Sequence, residues 1–217
     1  SLGNEAGPGD NFKDCYAAIK KYDTSRPVQY ERNNDIVDMG SNQYPSIAWV
    51  QGAVKGNYNM KYPYHISEYA HSMGNAVGNL VDYWNDIEST NFFMGGAIWD
   101  WVEQAMEGTD PKTGQKFWGY GGDFGKDNKP NDGMFCMNGV MRPDLSPKAQ
   151  YFEVKKVYQN VGVKAVDLKQ GRIEIFNKNY FEPLKGYQIV WSLYKDGVGV
   201  ESNRPLMGAK NILGPRE

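Results

Sequence analysis

Cysteine is scarce. Cys15 and Cys136 are the only two in 217 residues, and with no close spacing they exclude both a disulfide framework and a zinc ribbon. Charge of one sign is equally thin, since no run exceeds the pairs Lys20-Lys21 and Lys155-Lys156 and the formal net charge is -2. The chain therefore lacks the basic stripe that a phosphate backbone requires, and no nucleic-acid partner is expected. Long hydrophobic runs are missing too. No stretch nears the roughly 18 apolar residues of a membrane span, and no charged leader precedes an apolar run, so neither a membrane segment nor an export signal is expected in this sequence. Internal repeats and low-complexity segments are absent as well. What is plentiful is aromatic: 15 Tyr, 9 Phe and 6 Trp make 14% of the chain. Tyr and Trp pair a flat apolar face with a polar tip, which suits both a protein core and the C–H faces and hydroxyl rims of sugars.

Hydrophobic spacing organises the first two-thirds into alternating elements. Phe12, Cys15, Tyr16 and Ile19 predict a helix over 11–22, stopped before Pro27. Short strands are expected at 27–31 and 35–40, a helix at 46–54, a strand at 62–70, a helix around Val77 to Ile87 and a strand at 92–102. Strands apolar on both faces and separated by helices indicate α/β architecture with a covered parallel sheet. Glu103 to Arg142 reads as a long loop ordered by its own aromatic residues, followed by one more helix around Val154 to Val161. The period then changes to two at Ile173 and Ile175 and again from Tyr187 to Leu193, with a turn at 195–197, so an all-β domain is expected to begin near residue 161. The opening "SLGNEAG" reads as the end of a strand whose beginning lies elsewhere.

Two glutamates fall at expected strand ends, Glu5 after "LGN" and Glu68 after "YHIS". In a (β/α) barrel, residues at the carboxyl edge of the sheet build the active site. Two carboxylates facing one cleft are what glycosidic bond cleavage needs, one to protonate the leaving oxygen and the other to attack the anomeric carbon or activate water. "HISEYAH" also contains H-x-x-E-x-x-H through His65, Glu68 and His71, but residues three apart on a strand face opposite sides, which argues against zinc.

"EYAHSMGN" (68–75) resembles the nucleophile motif of glycoside hydrolase family 2 β-galactosidases, and "LGNEAG" (2–7) resembles their acid/base motif. "RPVQYE", "GGAIWDWV", "YGGDFG" and "FCMNG" follow in the family's order, so the resemblance covers about residues 1–160. It implies a partial (β/α)8 TIM barrel, strands four to eight, over residues 1–160, followed over 161–217 by the beginning of an all-β sandwich. The five strands expected to end near residues 5, 31, 40, 69 and 101 agree with that count.

The resemblance further implies a retaining hydrolase of terminal β-linked galactose, with Glu68 as nucleophile and Glu5 as acid/base. Asn4 is implied to contact the sugar 2-hydroxyl, Tyr44 to stand beside the nucleophile, His71 to contact galactose hydroxyls and Trp99 to form the floor of the site. Asp100, one residue on, is read as structural, facing away from Trp99. Mg2+ near Glu5 and Na+ on the Phe135 carbonyl and Asn138 side chain are the implied cofactors, with both sites incomplete in this chain. The intact enzyme is expected to be a homo-oligomer, and the isolated chain inactive or weakly active. β-Glucuronidase, β-mannosidase and a non-catalytic carbohydrate-binding fragment are the alternative readings.

Overall fold

A computed structural model describes residues 1–125, 130–135, 137–203 and 212–217. Cys136 lies outside the described residues, and Cys15 is exposed. The chain divides into two compact units, Ser1–Val157 and Tyr158–Glu217.

The first unit opens with an extended segment and helix α1 (Asp10–Tyr22), which carries Asp10 in its first turn and Lys20 and Lys21 in its last, each sign matched to the helix dipole. Its inner face is aromatic. Phe12 stacks on Tyr30 with ring centroids 4.3 Å apart, and Leu2, Tyr16 and Ile36 complete a small core around Val28, Tyr30 and Val37. The segments expected as strands at 27–31 and 35–40 do not form a ladder. The Val28 carbonyl accepts the Asp38 N–H at 3.0 Å, and the Asp38 carboxylate supplies side-chain bonds in place of further pairing, accepting from the Val28 N–H at 2.8 Å, from the Tyr16 hydroxyl at 2.6 Å and from Lys20 at 2.7 Å. Burial pushes the Asp38 carboxyl up, but the bonds from Lys20, Tyr16 and Val28 outweigh it and hold the pKa at about 2.

Because the folded pKa is depressed, this contribution is complete above the unfolded carboxylate range near 4 and is lost as pH falls from about 4 to about 2. Asp38→Asn is therefore expected to flatten the acid limb of the stability curve in that window. The effect is about 1 kcal/mol, discounted for screening at a partly exposed site. Urea titrations at pH 4.5 and 2.5 check it, and an unchanged pH dependence would count against the Asp38 cluster.

Three parallel strands then follow, β1 (Gly40–Gln43), β2 (Tyr64–Tyr69) and β3 (Phe93–Ile98), adjacent in chain order. Helix α2 (Ile47–Val54) connects the first pair, started by Ser46, whose hydroxyl accepts the Trp49 N–H. Helix α3 (Leu80–Glu88) connects the second, burying Leu80 and Ile87. This is βα crossover architecture, and it places the ends of all three strands on one edge. It supplies three strands where five were expected, and the described residues form no closed barrel. Ser1 to Glu5 contributes one backbone bond, from Leu2 N–H to the Gln29 carbonyl at 3.2 Å, and is not a strand.

The expected loop contains a hairpin, β4 (Met106–Thr109) with β5 (Lys116–Gly119), and the next helix, α4 (Ala149–Val157), begins before the expected 154. In the second unit, β6 (Val161–Asp167) pairs antiparallel with β7 (Arg172–Asn177), and β8 (Trp191–Lys195) with β9 (Val198–Asn203). Asp196 and Gly197, at φ 50° and 81°, make the tight turn of the second hairpin as the "KDG" stretch predicts. These are two separate two-stranded sheets among the described residues, where the beginning of a sandwich was expected.

Candidate active site

The carboxyl edge of the three-stranded sheet gathers most of the residues singled out from the sequence. Glu68 sits near the end of β2 and is 8% exposed, opposite Gln43 in the register with β1. Its carbonyl accepts the Tyr44 N–H at 2.7 Å. The Tyr44 phenol is pushed well above its ordinary range by burial, by a hydrogen bond to the Glu68 carboxylate with that group's charge, and by the charges of Glu5 and Asp100. Tyr44 therefore stays protonated and donates to Glu68. One hydroxyl thus feels both glutamates and Asp100.

Long-range contacts hold this edge. The Tyr83 hydroxyl of α3 donates to the Pro45 carbonyl at 2.8 Å, and Trp84 Nε1 donates to the Tyr69 hydroxyl at 2.7 Å. Ser72 N–H donates to the Trp99 carbonyl at 2.8 Å, while Gln150 of α4 donates to the Gly74 carbonyl at 2.9 Å. Glu5, Tyr44 and Ala70 all carry positive φ, 52°, 50° and 49°. Such conformations cost on the order of 1–3 kcal/mol each in non-glycine residues and persist where surrounding contacts impose them, a pattern concentrated at functional sites.

His71 lies with its ring 6.1 Å from Tyr44 and 5.3 Å from Phe135. Its Nδ1 accepts the Met73 N–H at 3.4 Å, which leaves Nε2 to carry the hydrogen of the neutral ring. Nε2 is buried with no partner among the described residues. Trp99, Gln104, Tyr120, Phe135 and Asn138 line a small cavity of about 50 Å³. Trp101, two residues past Trp99, is 56% exposed, because β3 ends at Ile98 and strand alternation stops there. Asp100 accepts from Gln104 Nε2 at 3.1 Å, burial raises its carboxyl pKa against that bond, and its Oδ1 is buried with no partner among the described residues. Asn4 is exposed beside Glu5, off any strand.

Extended residues 138–141 run alongside 100–103, with Asp100 N–H bonded to the Asn138 carbonyl and Met141 N–H to that of Trp101, both at 2.9 Å. Gly139 permits the approach, since a Cβ there would meet the Glu103 backbone nitrogen at 2.2 Å. Beneath this pairing Glu103 and Lys148 form a buried ion pair, and Lys148 also donates to the Met137 and Gly139 carbonyls at 3.1 and 2.7 Å, either side of Asn138.

The carbonyl oxygen Oδ1 of Asn138 is buried with no partner among the described residues, a donor that suits a hard cation. Around Glu5 the chain offers less: no group of three or more His, Cys, Asp and Glu side chains among the described residues is placed to hold a metal ion. No helix among the described residues is long and apolar enough to cross a membrane.

Residues 1–163 match the family described as "Glycosyl hydrolases family 2, TIM barrel domain". The chain belongs to glycosyl hydrolase family 2. Among relatives, it is 40% identical over 95% of its length to a β-galactosidase of Priestia megaterium, covering 20% of that protein. It is 34% identical over 94% of its length to a β-galactosidase of Photobacterium profundum, covering 21% of it, and 36% identical over 91% to "Beta-galactosidase 2" of Enterobacter cloacae, covering 20%. The chain thus spans about one fifth of the length of the curated relatives it matches. Within this family-2 chain, Gln104, Tyr120 and the Glu103–Lys148 pair are site neighbours to which sequence reasoning gave no role, and the stretch "WDWVEQ" was the available signal for Gln104 and Glu103.

Proposed function

We propose that the whole protein is a retaining β-galactosidase. The observation that carries the reading is that Gln43, opposite Glu68 in the register of two parallel strands, donates to Glu5 and so brings the two glutamates together at the carboxyl edge of the sheet, in a chain belonging to a glycoside hydrolase family. Glu5 gives its proton to the glycosidic oxygen as the bond from that oxygen to the anomeric carbon breaks, and the Glu68 carboxylate forms an ester to the same carbon. Glu5, now ionised, then takes a proton from water, whose oxygen displaces Glu68 and regenerates both groups. Tyr44 donates to Glu68 and so helps carry its charge when the carboxylate is released. His71 Nε2–H is a donor for a sugar hydroxyl, Asn4 serves the 2-hydroxyl, and Trp99 offers a flat apolar face to the ring.

Among the implied cofactors, Na+ is supported by Asn138 Oδ1, buried with no partner among the described residues; the Phe135 carbonyl would be its second ligand from this chain, and the ion would supply positive field to a sugar hydroxyl. For Mg2+ the described residues supply Glu5 without the companions a site needs, and no step is routed through it. Homo-oligomerisation belongs to the same reading of the whole protein.

Hydrolysis of 4-nitrophenyl β-D-galactoside, β-D-glucuronide and β-D-mannoside, with the first-formed anomer followed by NMR, tests the proposal. The expected result is preference for the galactoside with β-galactose appearing first. Preference for the glucuronide or mannoside would reassign the substrate, and α-galactose appearing first would overturn the double displacement.

A further inference from the structure

Glu5 sits on an exposed segment that is not part of the sheet, so something other than strand pairing must orient its carboxyl group. A ring of polar contacts supplies this. Gln43 Nε2 donates to Glu5 Oε1, Arg32 donates to Gln43 Oε1 at 2.7 Å, and Arg32 Nε lies 3.9 Å from Glu31 Oε1. The ring closes because that same Glu31 oxygen accepts the Glu5 backbone N–H at 3.0 Å. Glu31 is fixed, its side chain 3% exposed, and Gln43 is fixed through its register opposite Glu68 at the end of β1.

A guanidinium carries donors only, so Arg32 faces the amide oxygen of Gln43 and leaves the amide nitrogen to meet Glu5. Without Arg32 the amide is free to turn and present its oxygen to the carboxylate, a repulsive contact. We infer that Gln43, oriented by Arg32, is a positioning residue for the acid/base group Glu5. By donating to Oε1 it fixes the rotation of the carboxyl group and favours Oε2 as the oxygen that carries the catalytic proton. This inference rests on the assignment of Glu5 as acid/base in the proposed function.

The test is leaving-group dependence in the whole protein. Phenyl β-D-galactoside needs its leaving oxygen protonated, whereas the 2,4-dinitrophenolate of the corresponding dinitrophenyl galactoside departs unaided. Gln43→Met, close in volume and without the donor, is expected to lower the phenyl-to-dinitrophenyl ratio of kcat/KM by about tenfold, the scale of one charge-assisted hydrogen bond. Arg32→Met is expected to lower the ratio in the same direction by less, and the double variant to fall no further than Gln43→Met alone. An unchanged ratio, including equal losses on both substrates, would overturn the proposal, since a general structural defect slows both. Glu5→Gln is the control. If it too leaves the ratio unchanged, the acid role of Glu5 is what fails.

Discussion

Glu68→Ala is expected to lower kcat on 4-nitrophenyl β-D-galactoside by on the order of 10^4-fold or more, the scale seen when a catalytic nucleophile is removed. The loss is large because the two-step route ends with the ester, and nothing else on that edge is placed to replace it. Tyr44 and Asp100 share the electrostatic neighbourhood, but Tyr44 is held protonated by burial and by Glu68 itself. The diagnostic readout is rescue. Azide entering the space left by the carboxylate attacks from the same face, so α-galactosyl azide is the expected product. Activity within tenfold of the unsubstituted protein, or a β-azide product, would remove Glu68 from the role.

Lys148→Met is expected to cost about 3–5 kcal/mol of stability, the range for breaking a buried ion pair by deleting one partner. The Glu103 side chain is 2% exposed, its Oε2 already lacks a partner among the described residues, and Lys148 is its cation. The same ammonium ties down the Met137 and Gly139 carbonyls, so its removal also loosens the segment that carries Asn138. Thermal denaturation should show a fall in Tm on the order of 10 °C for a unit of this size. The double variant Glu103→Gln/Lys148→Met, which removes the orphaned charge, is expected to recover part of the loss. A Tm within 2–3 °C of the original, at about 2–4 °C per kcal/mol, would mean that the pair is solvated in solution.

Elements with a long period were readable from the chain. The spacing of Phe12, Tyr16 and Ile19 located α1 to within a residue or two, and the apolar runs around Ile66 and Ala97 located β2 and β3. The shortest segments of the first unit were not. "PVQYE" and "DIVDMG" have strand composition, yet Asp38 satisfies the Val28 N–H with its own carboxylate, and a ladder has no advantage there. The hairpin β4–β5 escaped notice because each arm is four residues long, too short for alternation to stand out from a loop rich in Gly and Asp. Alternation does not reach Asp100, which lies two residues past the end of β3.

The sequence by itself determined the family motifs, the identity of the two glutamates, and the alternation of strands and helices that brings strand ends to one edge. Those are local patterns, set by side-chain periodicity and by a run such as "EYAHSMGN". The tertiary structure alone decided which polar groups meet. Glu5 joins Gln43 across 38 positions and Glu31 across 26, and Lys148 reaches Glu103 across 45. Such bonds leave no period in the chain, because each depends on where the backbone carries two distant side chains and on burial making an unpaired polar atom costly.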